Sequence, residues 1–276
     1  MLFGICTNMH GTRDDPAGIR LLEQTAEAGF DYVELPLAQI MEFPQDEFEK
    51  LRAAVFAGKI RCLANNNFFP VTMRLTGPDV YKDAVYAYIE KALERSRLLG
   101  AKKAVFGSGP ARHIPGRFPR GEGHRQLVGL LRDMASTAEK SGIDIVIEPL
   151  NRQESNIINS FEEGCALCDE VSRKNVKVLV DYYHLVKEAE PLEHIRQNGT
   201  PFLSHAHFAG DGAGRLYPAT TGKDEYLRFF NALKAVGYDG AISLEAYNDN
   251  PAIYMKPALA MMRELWKAAD GSWAAF

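Results

Sequence analysis

The sequence predicts an α/β protein, a single (β/α)8 TIM barrel in which eight parallel strands alternate with eight helices. Eight short apolar runs rich in β-branched residues recur along the chain, and a stretch of helical periodicity follows each of them. No low-complexity segment or linker divides the sequence. Because a closed barrel commonly has a chain of this length, we expect residues 1–276 to form one barrel domain.

The predicted strands recur at roughly thirty to forty residues, the length of a βα unit with short loops. They begin at Leu2, Tyr32, Ile60, Lys103, Asp144, Val176, Leu203 and Ala241, and read LFGICTN, YVELPL, IRCLANNNFF, KAVFGSG, DIVIEPL, VKVLVDYYH, LSHAHFAG and AISLEAY.

Between these runs, apolar residues recur at helical spacing, as Val85, Ile89 and Leu93 do. A glycine follows many of the helical stretches and supplies a left-handed C-cap before the next strand. The predicted helices are Pro16–Gly29, Asp46–Lys59, Asp79–Gly100, Glu122–Gly142, Ser160–Lys174, Lys187–Asn198, Gly222–Gly237 and Ile253–Ala268. Two Pro/Gly-rich inserts, Pro70–Pro78 and Pro110–Gly121, should cover the catalytic face.

Composition excludes several classes of protein. Hydrophobic residues make up 46% and charged residues 25% of the chain, the balance of a soluble protein with a large core. The net charge of -4 and the absence of a Lys/Arg run argue against a nucleic-acid partner. No apolar stretch is long enough to span a membrane, and the N-terminus resembles a strand more than a signal peptide. The four scattered cysteines form no disulfide framework. We therefore expect a cytoplasmic protein.

Four predicted strand ends carry potential metal ligands. Glu148, Asp181, His207 and Glu245 end strands five to eight, each after an apolar run. Alternation along a strand places each on the same face as the residue two positions earlier. Those residues are Val146, Leu179, His205 and Ser243. Because the active sites of such barrels lie at the C-terminal ends of the strands, we expect the four side chains to meet there.

Three carboxylates held that close repel one another unless a cation neutralises them. Any one of these residues alone could be an ordinary strand-end group bonded to a helix N-terminus, Arg or Lys. Four on consecutive strands favour a divalent metal, and a set of oxygen ligands with one nitrogen and no sulfur favours Mn²⁺, Mg²⁺ or Co²⁺.

Three further residues surround this point. Glu154 follows strand five, His184 follows Asp181 by three positions, and Arg215 follows strand seven. They could bind the hydroxyl and carbonyl groups of a substrate. The alternatives are a capping histidine for His184 and a solvated loop arginine for Arg215. Deeper in the barrel, His205 and Glu34 are expected to be buried around the site.

At EPLNRQE, DYYH, SHAH and ISLE the sequence resembles the xylose isomerase-like barrel superfamily, and more narrowly the D-tagatose 3-epimerase and D-psicose 3-epimerase family. The resemblance implies a sugar substrate, a homodimer or homotetramer, and a bound metal, with Mn²⁺ the first expectation. It assigns the metal ligands to Glu148, Asp181, His207 and Glu245, the catalytic carboxyls to Glu148 and Glu245, and substrate binding to Glu154, His184 and Arg215. The loop HFAGDGAGR places Arg215 further from the histidine than the family pattern does.

Two glutamates at a metal suit proton abstraction beside a carbonyl, one removing the proton and the other returning it on the opposite face. The resemblance favours epimerisation. The same site would also permit aldose–ketose isomerisation, an inosose or keto-sugar dehydratase, or a hydroxypyruvate-type isomerase. A DNA-repair protein like endonuclease IV needs extra histidines, which LANNNFF and VFGSG lack; His113 lies further out. A non-catalytic sugar-binding barrel is the remaining alternative.

Overall fold

Eight parallel strands close into a barrel in sequence order in the computed structural model, which describes residues 1–210 and 214–272. The predicted fold class is confirmed, and each predicted strand corresponds to an observed one. The strands are β1 Leu2–Cys6, β2 Tyr32–Pro36, β3 Arg61–Asn66, β4 Lys103–Phe106, β5 Asp144–Ile147, β6 Val176–Asp181, β7 Leu203–Phe208 and β8 Ala241–Leu244. That residues 1–276 form one domain stays a prediction.

Side chains alternate between the two faces of the barrel wall. Ile145 and Ile147 of β5 belong to the large core between strands and helices. Val146 instead packs in a separate cluster with Val105 and Leu179, from the neighbouring strands β4 and β6. Val146 and Leu179 therefore face the inside of the barrel. By alternation along the strands, Glu148 and Asp181, two positions later, share that inward face.

Helices cover the outside of the barrel and the ends of its strands. They are α1 Leu22–Ala28, α2 Leu37–Met41, α3 Gln45–Ala57, α4 Lys82–Leu99, α5 Gly109–Arg112, α6 Arg120–Ser141, α7 Phe161–Val171, α8 Tyr182–Lys187, α9 Glu193–Phe202, α10 Lys223–Ala235 and α11 Pro251–Ala268. Helix α6 shows the pattern behind them: Leu127, Leu131, Met134 and Ala138 recur at helical spacing and are all buried.

Several predicted boundaries were wrong because short helices begin where strands were expected to continue. The sixth strand ends at Asp181 and not at His184, since the Asp181 side chain accepts a hydrogen bond from the Tyr183 N–H at 2.9 Å and starts α8. The first strand likewise ends at Cys6, before a 3-10 turn at Thr7–His10. These turns at the mouth of the barrel redirect the side chains that follow them.

Two expectations from composition concern the cysteines and membrane-spanning helices. All four cysteines are buried and free, as their scattered positions predicted. Within the described ranges, no helix has the length and apolar character that crossing a bilayer requires.

Gly4 in β1 supports the packing inside the barrel, and its replacement tests that packing. A Cβ at Gly4 would lie 2.3 Å from ring atoms of the buried Tyr32, whereas a Cβ at the exposed Gly129 of α6 would contact nothing within 4 Å. We expect Gly4→Ala to lower the free energy of unfolding by about 1–3 kcal/mol through overpacking. Gly129→Ala should raise it by about 0.5–1 kcal/mol through helix propensity.

Thermal and denaturant unfolding followed by far-UV circular dichroism measures both changes. A Gly4→Ala protein as stable as the wild type would contradict the packing described for the barrel interior.

Candidate active site

Four strand ends bring the four predicted ligand residues to one point at the mouth of the barrel. Asp181 is the last residue of β6 and His207 lies in β7, while Glu148 and Glu245 directly follow β5 and β8. One potential ligand atom of each residue lies within 4.8 Å of those of the others, and all four residues are buried. The structure therefore brings the whole predicted set together. Their binding of a metal stays a prediction.

The two glutamates differ in their affinity for protons. Burial raises the pKa of Glu148 to about 7, and the charge of Glu245 adds to this shift. Burial acts in the same direction on Glu245, but Arg215 and His207 outweigh it and lower the pKa of this carboxyl to about 2. Near neutral pH, Glu148 can therefore hold a proton while Glu245 is ionised.

The donor set fits a hard divalent cation. Three carboxylates and one imidazole offer oxygen and nitrogen atoms, the ligands that Mn²⁺ and related ions accept in proteins. Burial also raises the pKa of Asp181, although Arg215 opposes the shift. The positive charge of the chain therefore does not fully neutralise the carboxylates. Gly107 leaves room for this arrangement, because a Cβ there would lie 2.2 Å from Oε2 of Glu148. Two additional positive charges would relieve the repulsion.

Arg215 reaches the site from its extended loop. Its guanidinium contacts the carboxylates of Asp181 and Glu245, and its Nε donates a hydrogen bond to the Glu245 carbonyl oxygen at 2.9 Å. The guanidinium also lies over the ring of Tyr183, 4.8 Å from the ring centroid. The structure thus places Arg215 at the predicted site and not in solvent. Residues 211–213 of its loop lie outside the described part of the chain.

His184 presents a hydrogen-bond donor to the same site. Its Nδ1 lies 3.2 Å from the backbone nitrogen of Asn151 and 2.9 Å from the side-chain nitrogen of Asn151, and both of these groups donate. A neutral ring then carries its hydrogen on Nε2, which is buried, lies 3.5 Å from Asp181 Oδ2, and has no hydrogen-bond partner among the described residues. Burial and the charge of Arg215 lower the pKa of His184 well below its usual range. The ring is therefore neutral, with an N–H available to a substrate oxygen.

A cleft of about 330 Å³ leads from these residues to solvent. Glu154 lies on its exposed edge and accepts a hydrogen bond from the Asn151 side-chain amide at 2.8 Å. All the predicted substrate-binding residues line this cleft, together with both glutamates. They are Glu148, Glu154, His184, Arg215 and Glu245. The facing wall comes from α2 and from the two predicted inserts, and includes Gln39, Glu42, Pro70, Val71, Thr72 and Pro110.

Asn66 belongs to the site, although the sequence indicated no specific role for it there. It ends β3, and its side-chain nitrogen donates hydrogen bonds to Asn8 Oδ1 at 2.9 Å and to Glu245 Oε1 at 3.3 Å. Its strand-end position was a usable signal, because polar residues at such positions face the mouth of the barrel.

Arg112 supports the site although the sequence did not single it out. It lies in α5 within the second insert, is fully buried, and donates hydrogen bonds to the carbonyl oxygens of Phe106 and Glu148, both at 2.9 Å. It therefore holds together the backbone at the ends of β4 and β5. A Pro/Gly-rich segment gives no sequence signal for such a contact.

Comparison with known proteins identifies related sequences and folds. Residues 22–265 match the model of the xylose isomerase-like TIM barrel family. A ketose 3-epimerase of Arthrobacter globiformis is 27% identical over 259 residues, which cover 92% of this chain and 85% of the relative. A 3-dehydro-D-guloside 4-epimerase of Escherichia coli is 28% identical over 183 residues, 63% of this chain and 69% of the relative.

Solved structures share the fold. The structure of D-psicose 3-epimerase with D-tagatose from Clostridium cellulolyticum H10 superposes with a TM-score of 0.83 at 20% sequence identity. The match covers 96% of this chain and 99% of the other.

Metal binding at this site should release protons. Burial raises the pKa of Glu148 to about 7, and Glu245 and Glu34 outweigh burial to raise the pKa of His207 well above its usual range. His207 must lose a proton to offer a nitrogen to the cation, and a protonated Glu148 binds a cation less tightly than an ionised one. The affinity for Mn²⁺ should therefore fall as the pH drops from about 8 to about 6, because protons compete with the cation.

Titration calorimetry in two buffers of different ionisation enthalpy counts the protons released. Heats that do not depend on the buffer, with an affinity that does not depend on pH, would contradict this assignment.

Proposed function

Since the chain belongs to the xylose isomerase-like TIM barrel family, we propose that it is a metal-dependent ketose epimerase that inverts a hydroxyl-bearing carbon beside a carbonyl. Its relatives named above are epimerases, and their class, isomerase, is the enzyme class that the sequence predicts. The proposal adds the metal, the two catalytic glutamates and the substrate class.

The observation that carries the proposal is the buried pair Glu148 and Glu245 at the inner end of the cleft. Glu148 directly follows β5 and Glu245 directly follows β8, so the two residues flank β6 and β7 at the mouth of the barrel. A carboxyl oxygen of each lies within 4.8 Å of the other and of a ligand atom of Asp181 and of His207. One carboxyl can hold a proton while the other is ionised. Inversion through two carboxyls needs one group of each kind at the same carbon.

In the proposed reaction, ionised Glu245 removes the proton from the carbon beside the carbonyl. Glu148 delivers its own proton to the opposite face of the same carbon, and the configuration is inverted. The two groups exchange roles in the reverse direction, and exchange of both carboxyl protons with solvent through the cleft restores the starting state between turnovers. His184 donates its Nε2 hydrogen to a substrate oxygen, and the charged Arg215 offsets negative charge beside Glu245. Each proton transfer of this kind typically contributes about 10²–10⁴-fold to the rate.

Glu148, Asp181, His207 and Glu245 would hold the metal, with Mn²⁺ proposed ahead of Mg²⁺ or Co²⁺. When bound, such an ion polarises the substrate carbonyl and offsets the charge that develops on its oxygen. Glu154, at the exposed edge of the cleft, would bind a substrate hydroxyl.

The two relatives differ in the carbon that they invert. One is named a ketose 3-epimerase and the other a 3-dehydro-D-guloside 4-epimerase. A keto sugar carrying a glycosidic substituent is therefore a second candidate substrate, and the cleft opens to solvent beyond Glu154 to receive one. A cytoplasmic location, the absence of a nucleic-acid partner and a homodimeric or homotetrameric state stay predictions.

Replacing either glutamate should abolish epimerisation. We expect Glu148→Gln and Glu245→Gln each to lower kcat by at least about 10²–10⁴-fold, because an amide cannot exchange the proton. Glu139→Gln, at an exposed position of α6, is the matched control and should leave the rate unchanged.

The assay follows Mn²⁺-loaded protein in deuterium oxide by NMR with D-psicose, D-tagatose, L-ribulose and a 3-dehydro-D-guloside. Solvent deuterium should enter the product at the inverted carbon. Full activity in either glutamine variant, or inversion without deuterium, would overturn the two-carboxyl reaction.

A further inference from the structure

A second polar layer lies directly beneath the four predicted ligands, sealed inside the barrel. Glu34 of β2, His205 of β7 and Ser243 of β8 are all 0% exposed. The interiors of such barrels are usually filled by Val, Ile and Leu, and a buried carboxylate is costly unless it is paired and hydrogen-bonded. A carboxylate at the position of Glu34 therefore needs an explanation beyond filling space.

The hydrogen bonds of Glu34 run in a fixed direction. Its Oε1 lies 3.0 Å from His207 Nε2, while its Oε2 lies 2.8 Å from His205 Nε2 and 2.6 Å from Ser243 Oγ. An ionised carboxylate only accepts hydrogen bonds, so all three partners donate to it. Ser243 is then free to accept from the hydroxyl of Tyr32, 2.8 Å away. Three donors on two strands thus hold one carboxylate in place.

This arrangement determines which nitrogen of His207 faces the site. Because Nε2 carries the hydrogen bonded to Glu34, Nδ1 is the nitrogen left with a lone pair in the neutral ring. Nδ1 points the other way, 3.2 Å from Glu148 Oε1 and 2.6 Å from Glu245 Oε2. Cys6 Sγ also approaches Nε2, at 3.9 Å, but sulfur is a weaker acceptor at a longer distance.

We infer that Glu34 is a positioning residue, which fixes the tautomer and ring orientation of His207 so that Nδ1 is presented to the divalent cation. The inference rests on the metal site proposed above. His205 and Ser243 donate hydrogen bonds to Glu34 and so hold its carboxylate at the required distance from His207. A carboxylate on the far nitrogen also makes the ligating nitrogen more basic, which strengthens its bond to a metal.

Mn²⁺ affinity, measured by titration calorimetry on the purified full chain, tests this inference. Glu34→Gln keeps the size of the side chain and removes its charge, and should weaken Mn²⁺ binding by about 10–100-fold. Tyr32→Phe is the matched control, because it removes one hydrogen bond from the same buried layer without touching Glu34 or His207. It should bind Mn²⁺ as the wild type does, and His207→Gln should lose binding.

The imidazole nitrogens of the wild-type protein give a second measurement, which does not require Glu34→Gln to fold. In protein labelled with ¹⁵N-histidine and loaded with diamagnetic Mg²⁺, the His207 resonances, assigned from the His207→Gln spectrum, should show hydrogen on Nε2 and none on Nδ1. Hydrogen on Nδ1 would overturn the inference, whether or not Glu34→Gln folds.

The outcomes separate this inference from the proposed function. If the wild type fails to bind Mn²⁺, the metal site is wrong and the role of Glu34 falls with it. If the wild type binds and His207→Gln does not, while folded Glu34→Gln binds with wild-type affinity, only the role of Glu34 is wrong.

Discussion

Repulsion among three carboxylates in one buried pocket is the constraint on which the rest of the site depends. Glu148, Asp181 and Glu245 contribute their oxygens within a few ångströms of one another, where burial limits the screening of their charge by water. Arg215 and His207 supply positive charge from the chain itself, and this charge favours the ionised form of Glu245 more than that of Glu148. The two carboxyls consequently differ in proton affinity. A divalent cation would complete this balance, and it would bind carboxylates that Arg215 also contacts, those of Asp181 and Glu245.

The closed barrel makes this concentration of charge possible because its strand ends are held rigidly by the packing below them. The wall around the site combines an apolar cluster of Val105, Val146 and Leu179 with the polar layer of Glu34 and its partners. The apolar side fixes the strands, whereas the polar side orients the imidazole.

The sequence predicted that these four side chains meet, because their positions follow from the strand order and from alternation along each strand. An apolar strand ending in a carboxylate indicates both the face and the end of the barrel, as at Glu148 and Glu245. Contacts made by loops were harder to predict. The orientation of His184 depends on α8 beginning at Tyr182, and the role of Arg112 depends on a turn inside an insert. Both follow from local capping and long-range hydrogen bonds, which a periodic pattern does not record.

Anomalous diffraction from crystals grown with Mn²⁺ tests the central claim most directly, because it locates the ion without reference to activity. The account predicts a manganese peak bound by oxygens of Glu148, Asp181 and Glu245 and by Nδ1 of His207. Crystals grown with Mn²⁺ that show no manganese peak among these four residues would contradict it.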